Sequence, residues 1–136
     1  MIEELFAEYL AENGYGIYNP DGEDGNIFLF ELPYESQNAS ETMILRSNGN
    51  TKPASAIIKN AEIPFLDFYI RGKTNRDCIN KINELKKLLH EKTFQYKNIF
   101  VEYIYQRGDY IYLGRDVNDM VLYNITFIIT YYNKEW

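Results

Sequence analysis

Any catalytic reading of this chain starts from one thiol and one imidazole, because Cys78 is the only cysteine and His90 the only histidine. A thiol nucleophile needs a base within hydrogen-bond reach. These two lie twelve residues apart in one helical stretch, more than three turns at about 3.6 residues per turn, so they do not meet within it. Cys78 also falls on the apolar stripe of that stretch, where a thiol behaves as a small hydrophobe. No triad assembles around it. The 20 Asp and Glu residues offer carboxylates, but no spacing marks a pair, and surface acids ordinarily serve solubility. The expectation is no catalytic residue and no enzyme.

Three short motifs suggest ligands. Gly72-Lys73-Thr74 stands at a strand-to-helix junction and resembles the end of a phosphate-binding P-loop. That pattern needs a glycine five residues before Gly72, where Asp67 stands instead. Arg71 and Lys73 then read as the solvated ends of a strand. Arg107-Gly108-Asp109 spells a cell-adhesion tripeptide. Gly108-Asp109 is equally a two-residue type II′ hairpin turn between strands at 99–107 and 110–113, which explains the glycine. Asp21, Glu23 and Asp24 could face a hard cation, but no frame supplies the ligand spacing, mid-loop glycine and final Glu of an EF-hand. The segment reads as a solvated turn. No cofactor and no metal are expected.

Composition bounds the remaining possibilities. The chain has 136 residues, 46% hydrophobic, enough for one domain with a proper core and too apolar for wholesale disorder. Its 14 Lys and Arg against 20 Asp and Glu give a formal charge of -6, which makes it a poor general binder of nucleic acid. A lone cysteine allows no intramolecular disulfide and suits a reducing compartment. Residues 1–14 are acidic and lack the long apolar run of a signal peptide. No run approaches the ~18 apolar residues of a membrane span. The expected place is the cytoplasm, or something assembled there. Tyrosine is over-used, with 13 copies beside 8 Phe and 1 Trp. Aromatics form strands well, and tyrosine also suits surfaces that a partner covers.

The elements follow from periodicity. Ile2, Leu5, Phe6, Tyr9 and Leu10 predict an amphipathic helix over 2–13, stopped at Gly14. Strands are expected at 27–34, 41–46 and 62–71, the last with Leu66, Phe68 and Ile70 on one face. Residues 47–61 show no period and read as a flexible loop. Thr74, with Asp77 three residues on, caps a second helix whose Cys78, Ile82, Leu85 and Leu89 face a core. A long last strand over 119–133 carries Val121, Tyr123, Ile125, Phe127, Ile129 and Tyr131 on one face, and Asn124, Thr126 and Thr130 on the other. Residues 1–136 thus form a single α+β domain, with an antiparallel or mixed sheet and two helices packed mainly on one face.

The run 63–73, Ile-Pro-Phe-Leu-Asp-Phe-Tyr-Ile-Arg-Gly-Lys, passes directly into a capped helix ending Leu88-Leu89-His90. With the order helix, strand group, strand–helix unit, hairpin and long last strand, it resembles the tail-terminator or minor capsid proteins of long-tailed bacteriophages. The resemblance covers nearly the whole chain in layout and residues 63–90 in wording. It implies a structural virion protein at the head–tail junction, assembled in a bacterial host. Such a protein forms a ring, commonly a hexamer, that caps the tail tube and joins it to the head connector while DNA passes through. The alternative is a small ligand-binding or enzymatic domain of the ferredoxin-like kind, whose sign would be a pocket with convergent polar groups.

Overall fold

The computed structural model describes residues 2–20, 25–33, 41–47, 61–62 and 64–133. Helix α1, Ile2–Glu12, buries Leu5, Phe6 and Leu10. Gly14, at φ 79°, lets the chain turn back. The Tyr15 N–H then donates to Leu10 O at 3.0 Å and the Gly14 N–H to Ala11 O at 3.1 Å, the paired bonds of a Schellman stop. Helix α2, Asn75–Leu89, starts where the Thr74 side chain accepts from the Asp77 N–H. Its buried stripe is Cys78, Ile82, Leu85 and Leu89, as the spacing predicts.

The strands are β1 (Ile27–Leu29), β2 (Glu41–Ser47), β3 (Ala61–Glu62), β4 (Phe65–Gly72), β5 (Phe94–Tyr96), β6 (Ile99–Arg115) and β7 (Val121–Asn133). They make one mixed sheet in the order β1-β2-β4-β7-β6-β5, with β3 also pairing β7. Only β1 and β2 run parallel. Each helix adds its buried apolar residues to one core cluster that includes Leu66, Phe68 and Ile70 of β4 and Val121, Ile125, Phe127 and Ile129 of β7. The chain is a single α+β domain.

Several expectations need correction. β1 spans three residues and stops before Phe30, which takes φ 69°. β5 has no counterpart in the periodicity reading. Of the loop expected over 47–61, Ser47 belongs to β2 and Ala61 to β3, and residues 48–60 lie outside the described residues. The largest difference is at Gly108-Asp109. No hairpin forms there; β6 runs on as one strand of 17 residues. Gly108, Asp109 and Tyr110 stand opposite the single position between Thr126 and Asn124, so the positive φ of Gly108 serves a bulge. The hairpin lies between β6 and β7, across residues 116–120.

Leu85 is fully buried between α2 and the sheet. Leu85→Ala is expected to lower stability by about 2–5 kcal/mol, read as an earlier midpoint in urea. An unchanged midpoint would contradict the packing.

Candidate interaction surface

The chemical candidates resolve into structural roles or separate places. A Cβ on Gly72 would lie 3.1 Å from Cys78 Sγ, so the glycine lets α2 start close against β4. Thr74 caps α2, and Lys73 is exposed. Cys78 is buried. Burial first, then Asp77 and Glu41, push its thiol up to about 11, unsuited to nucleophilic work near neutrality. His90 caps the other end of α2, where Nδ1 accepts from the Gln106 N–H at 3.1 Å. The guanidinium of Arg107 lies 4.6 Å from the Phe65 ring centroid. Asp109 sits 3.6 Å from Lys86 Nζ. Residues Asp21, Glu23 and Asp24 lie outside the described residues. Among the described residues, no group of three His, Cys, Asp or Glu is placed to hold a metal ion, and no helix is long and apolar enough to cross a membrane.

Arg71 overturns its expected role as a solvated strand end. It is 2% exposed, and its Nε donates to Asp116 Oδ2 at 2.6 Å. The other oxygen of Asp116 accepts from the N–H groups of Asn118 and Met120. One carboxylate therefore ties the β6–β7 turn to the end of β4. Asp67 is also buried and accepts from the Thr126 hydroxyl.

The surface that remains is apolar. The exposed large hydrophobics among the described residues are Ile17, Phe30, Tyr103, Tyr105, Ile111, Tyr112, Leu113 and Val117. Six of these eight lie on β6 or its turn, so they form a concentration rather than a scatter. Register shifts produce it. β6 slips against β7 between Val101 and Tyr103, between Arg107 and Ile111, and between Tyr112 and Gly114. A regular strand would alternate in and out; the slips leave Ile111, Tyr112 and Leu113 consecutively exposed. The Tyr103 and Tyr105 rings lie 6.3 Å apart and nearly parallel at 19°. The tyrosines of the C-terminal sheet therefore divide. Tyr103, Tyr105 and Tyr112 are exposed, Tyr110, Tyr131 and Tyr132 are half-buried, and Tyr123 is in the core. The alternation of β7 already places Tyr123 on the apolar face.

A shallow cleft lies beside the start of α2. Glu41, Asp77, Cys78, Lys81 and Tyr15 help line it. Lys81 Nζ donates to Tyr15 O at 2.7 Å and thereby ties α2 to the segment after α1.

The Arg71–Asp116 pair predicts a pH dependence. Burial acts to raise the Asp116 carboxyl, but the bonds from Arg71, Met120 and Asn118 outweigh it and hold the pKa below the ordinary 3.8. A carboxyl depressed in the folded state stabilises above its unfolded value, and the contribution is lost as pH falls through the folded one. Asp116→Asn is expected to cost about 1.5–3 kcal/mol at neutral pH, because the charge-assisted bond from Arg71 to this carboxylate is weakened. It should also flatten the loss of stability below about pH 4. Urea titrations of both proteins at neutral and acid pH measure the two effects. In the same assay Thr74→Ala should cost about 1 kcal/mol as a lost cap, with Lys73→Ala within about 0.5 kcal/mol of the parent.

No protein-family profile matches this chain, and no curated protein matches it in sequence.

Proposed function

We propose that the chain is a structural assembly subunit, the tail terminator of a long-tailed bacteriophage. In this reading it closes as a ring, commonly of six copies, between the tail tube and the head connector, with its helices on one face of the sheet. The observation that carries the reading is the long β6–β7 hairpin with exposed apolar side chains concentrated on β6. Solvated surfaces rarely hold such a patch without a partner. The element order, α1, a strand group, β4–α2, then a long hairpin, agrees with the layout of that family. A formal charge of -6 per copy would let DNA pass without trapping it, since like charges repel.

A small-ligand domain is the second reading, and the cleft beside α2 is what favours it. Saturable binding of a small molecule, lost in Lys81→Ala, would support that reading instead.

The test is a phage genome that carries this reading frame. With Ile111→Asp the protein is expected to stay folded, because Ile111 is 57% exposed. Heads should fill with DNA while tails lack a proper end or fail to join. Normal infectious particles from a phage deleted for the frame would refute the proposal.

A further inference from the structure

β5 pairs the edge of β6 only at residues 99–101. Farther along, Glu102, Ile104 and Gln106 alternate and turn their backbone groups to that same edge. Thr93 Oγ1 donates to Glu102 O at 2.7 Å, and the Glu91 N–H donates to Ile104 O at 2.7 Å. The next rung is made by a side chain: the Gln106 N–H donates to His90 Nδ1 at 3.1 Å. Among the described residues no strand covers the edge from Arg107 to Arg115. The cover over β6 therefore ends on the chain's one imidazole.

The end of α2 places that ring. His90 is the C-cap, with φ -64° and ψ 128°, and its N–H donates to Lys86 O at 2.9 Å. Glu91 then takes φ 60°, the left-handed conformation that commonly closes a helix. The chain leaves α2 beside β6, with the imidazole against Gln106. Tyr105 of β6 flanks the ring, 5.7 Å between centroids and tilted by 51°. The Glu91 carboxylate lies 3.5 Å from Nε2. On the preceding turn of α2, Lys86 faces Asp109 of β6 at 3.6 Å.

A backbone N–H only donates, so the bond from Gln106 needs a lone pair on Nδ1. A neutral imidazole has one such nitrogen and an imidazolium has none. Imidazole is the side-chain group whose charge ordinarily changes between about pH 5 and 8. Protonation sets two N–H groups against each other. The new positive charge still has the Glu91 carboxylate at Nε2 and the carbonyl end of α2 beside it. The charged ring thus keeps favourable neighbours away from Gln106, and the rung is what gives way. The His90 side chain is 34% exposed, so water reaches the place it leaves.

We propose that His90 is a pH-sensitive latch on the edge of β6. Neutral, it holds the Gln106 N–H; protonated, it releases it. Release extends the uncovered edge back from Arg107 to Gln106 and frees Tyr105, already 50% exposed, of the ring beside it. The latch belongs to the chain itself and does not depend on the assembly reading above.

Amide exchange followed by NMR on the full chain, from about pH 8 to about pH 5, tests the latch. With rates corrected for the intrinsic effect of pH, protection of the Gln106 amide is expected to fall about three- to tenfold, the span of one net hydrogen bond. The midpoint should coincide with that of the His90 Cε1–H resonance. The Glu91 amide, bonded to Ile104 O, should keep its protection. His90→Asn offers a neutral carbonyl oxygen near the place of Nδ1 and has nothing to titrate, so protection of Gln106 should be flat across the range, whether or not the oxygen reaches the N–H. Unchanged protection of Gln106 while the imidazole titrates would overturn the proposal. So would a step that persists in His90→Asn, or a fall shared equally by the core amide of Ile125, which would report opening of the whole sheet.

Discussion

β7 pairs with β3 and β4 along one edge and with β6 along the other, so one strand sets the register of the sheet. Its odd-numbered residues from Val121 to Ile129 are all in the core cluster with both helices. A slip of one residue would turn that whole row outward, away from the core. The strength of this constraint explains why irregularity is confined to β6. Where the two strands disagree in length, the extra residues of β6 are extruded and β7 stays regular.

The Arg71–Asp116 pair acts at the end of the same construction. In the β6–β7 turn Val117 is 97% exposed and Met120 is buried. Asp116 collects two turn N–H groups and one guanidinium, so the turn is fastened to β4 by polar bonds. A buried ion pair of this kind is a weak source of net stability, but it makes alternative turn positions costly. The sheet face opposite the core is treated similarly, with Asp67 bonded to Thr126 in the middle of a register-matched pair. A charge substituted at Thr126 would thus disturb a buried carboxylate, and the outer strand β6 is the cleaner place to probe the surface.

Much of the fold is legible because its signals are local. The apolar spacing of α1, the Thr74 cap, the stripe of α2 and the alternation of β4 and β7 each lie within one element. What the residues conceal is decided elsewhere in the chain. Gly108-Asp109 has the same local chemistry in a hairpin turn and in a bulge, and only pairing to Thr126 and Asn124 distinguishes them. Arg71 looks solvated until Asp116, 45 residues away, is brought to it. Tyrosine is over-used throughout, but the exposure of Tyr105 and the burial of Tyr123 depend on register.

Pro64 sits between β3 and β4, whose pairings to β7 share one register: Glu62 with Tyr131, Phe65 with Ile128. Its carbonyl accepts from the Ile129 N–H at 3.1 Å, but a proline has no N–H to return the second bond of that pair. The ladder between the two strands is therefore nicked at one rung. Amide exchange should read this as a boundary between cooperative units. The expected outcome is faster exchange in the last residues of β7, in β3 and at the start of β6 than in the β4–β7 centre.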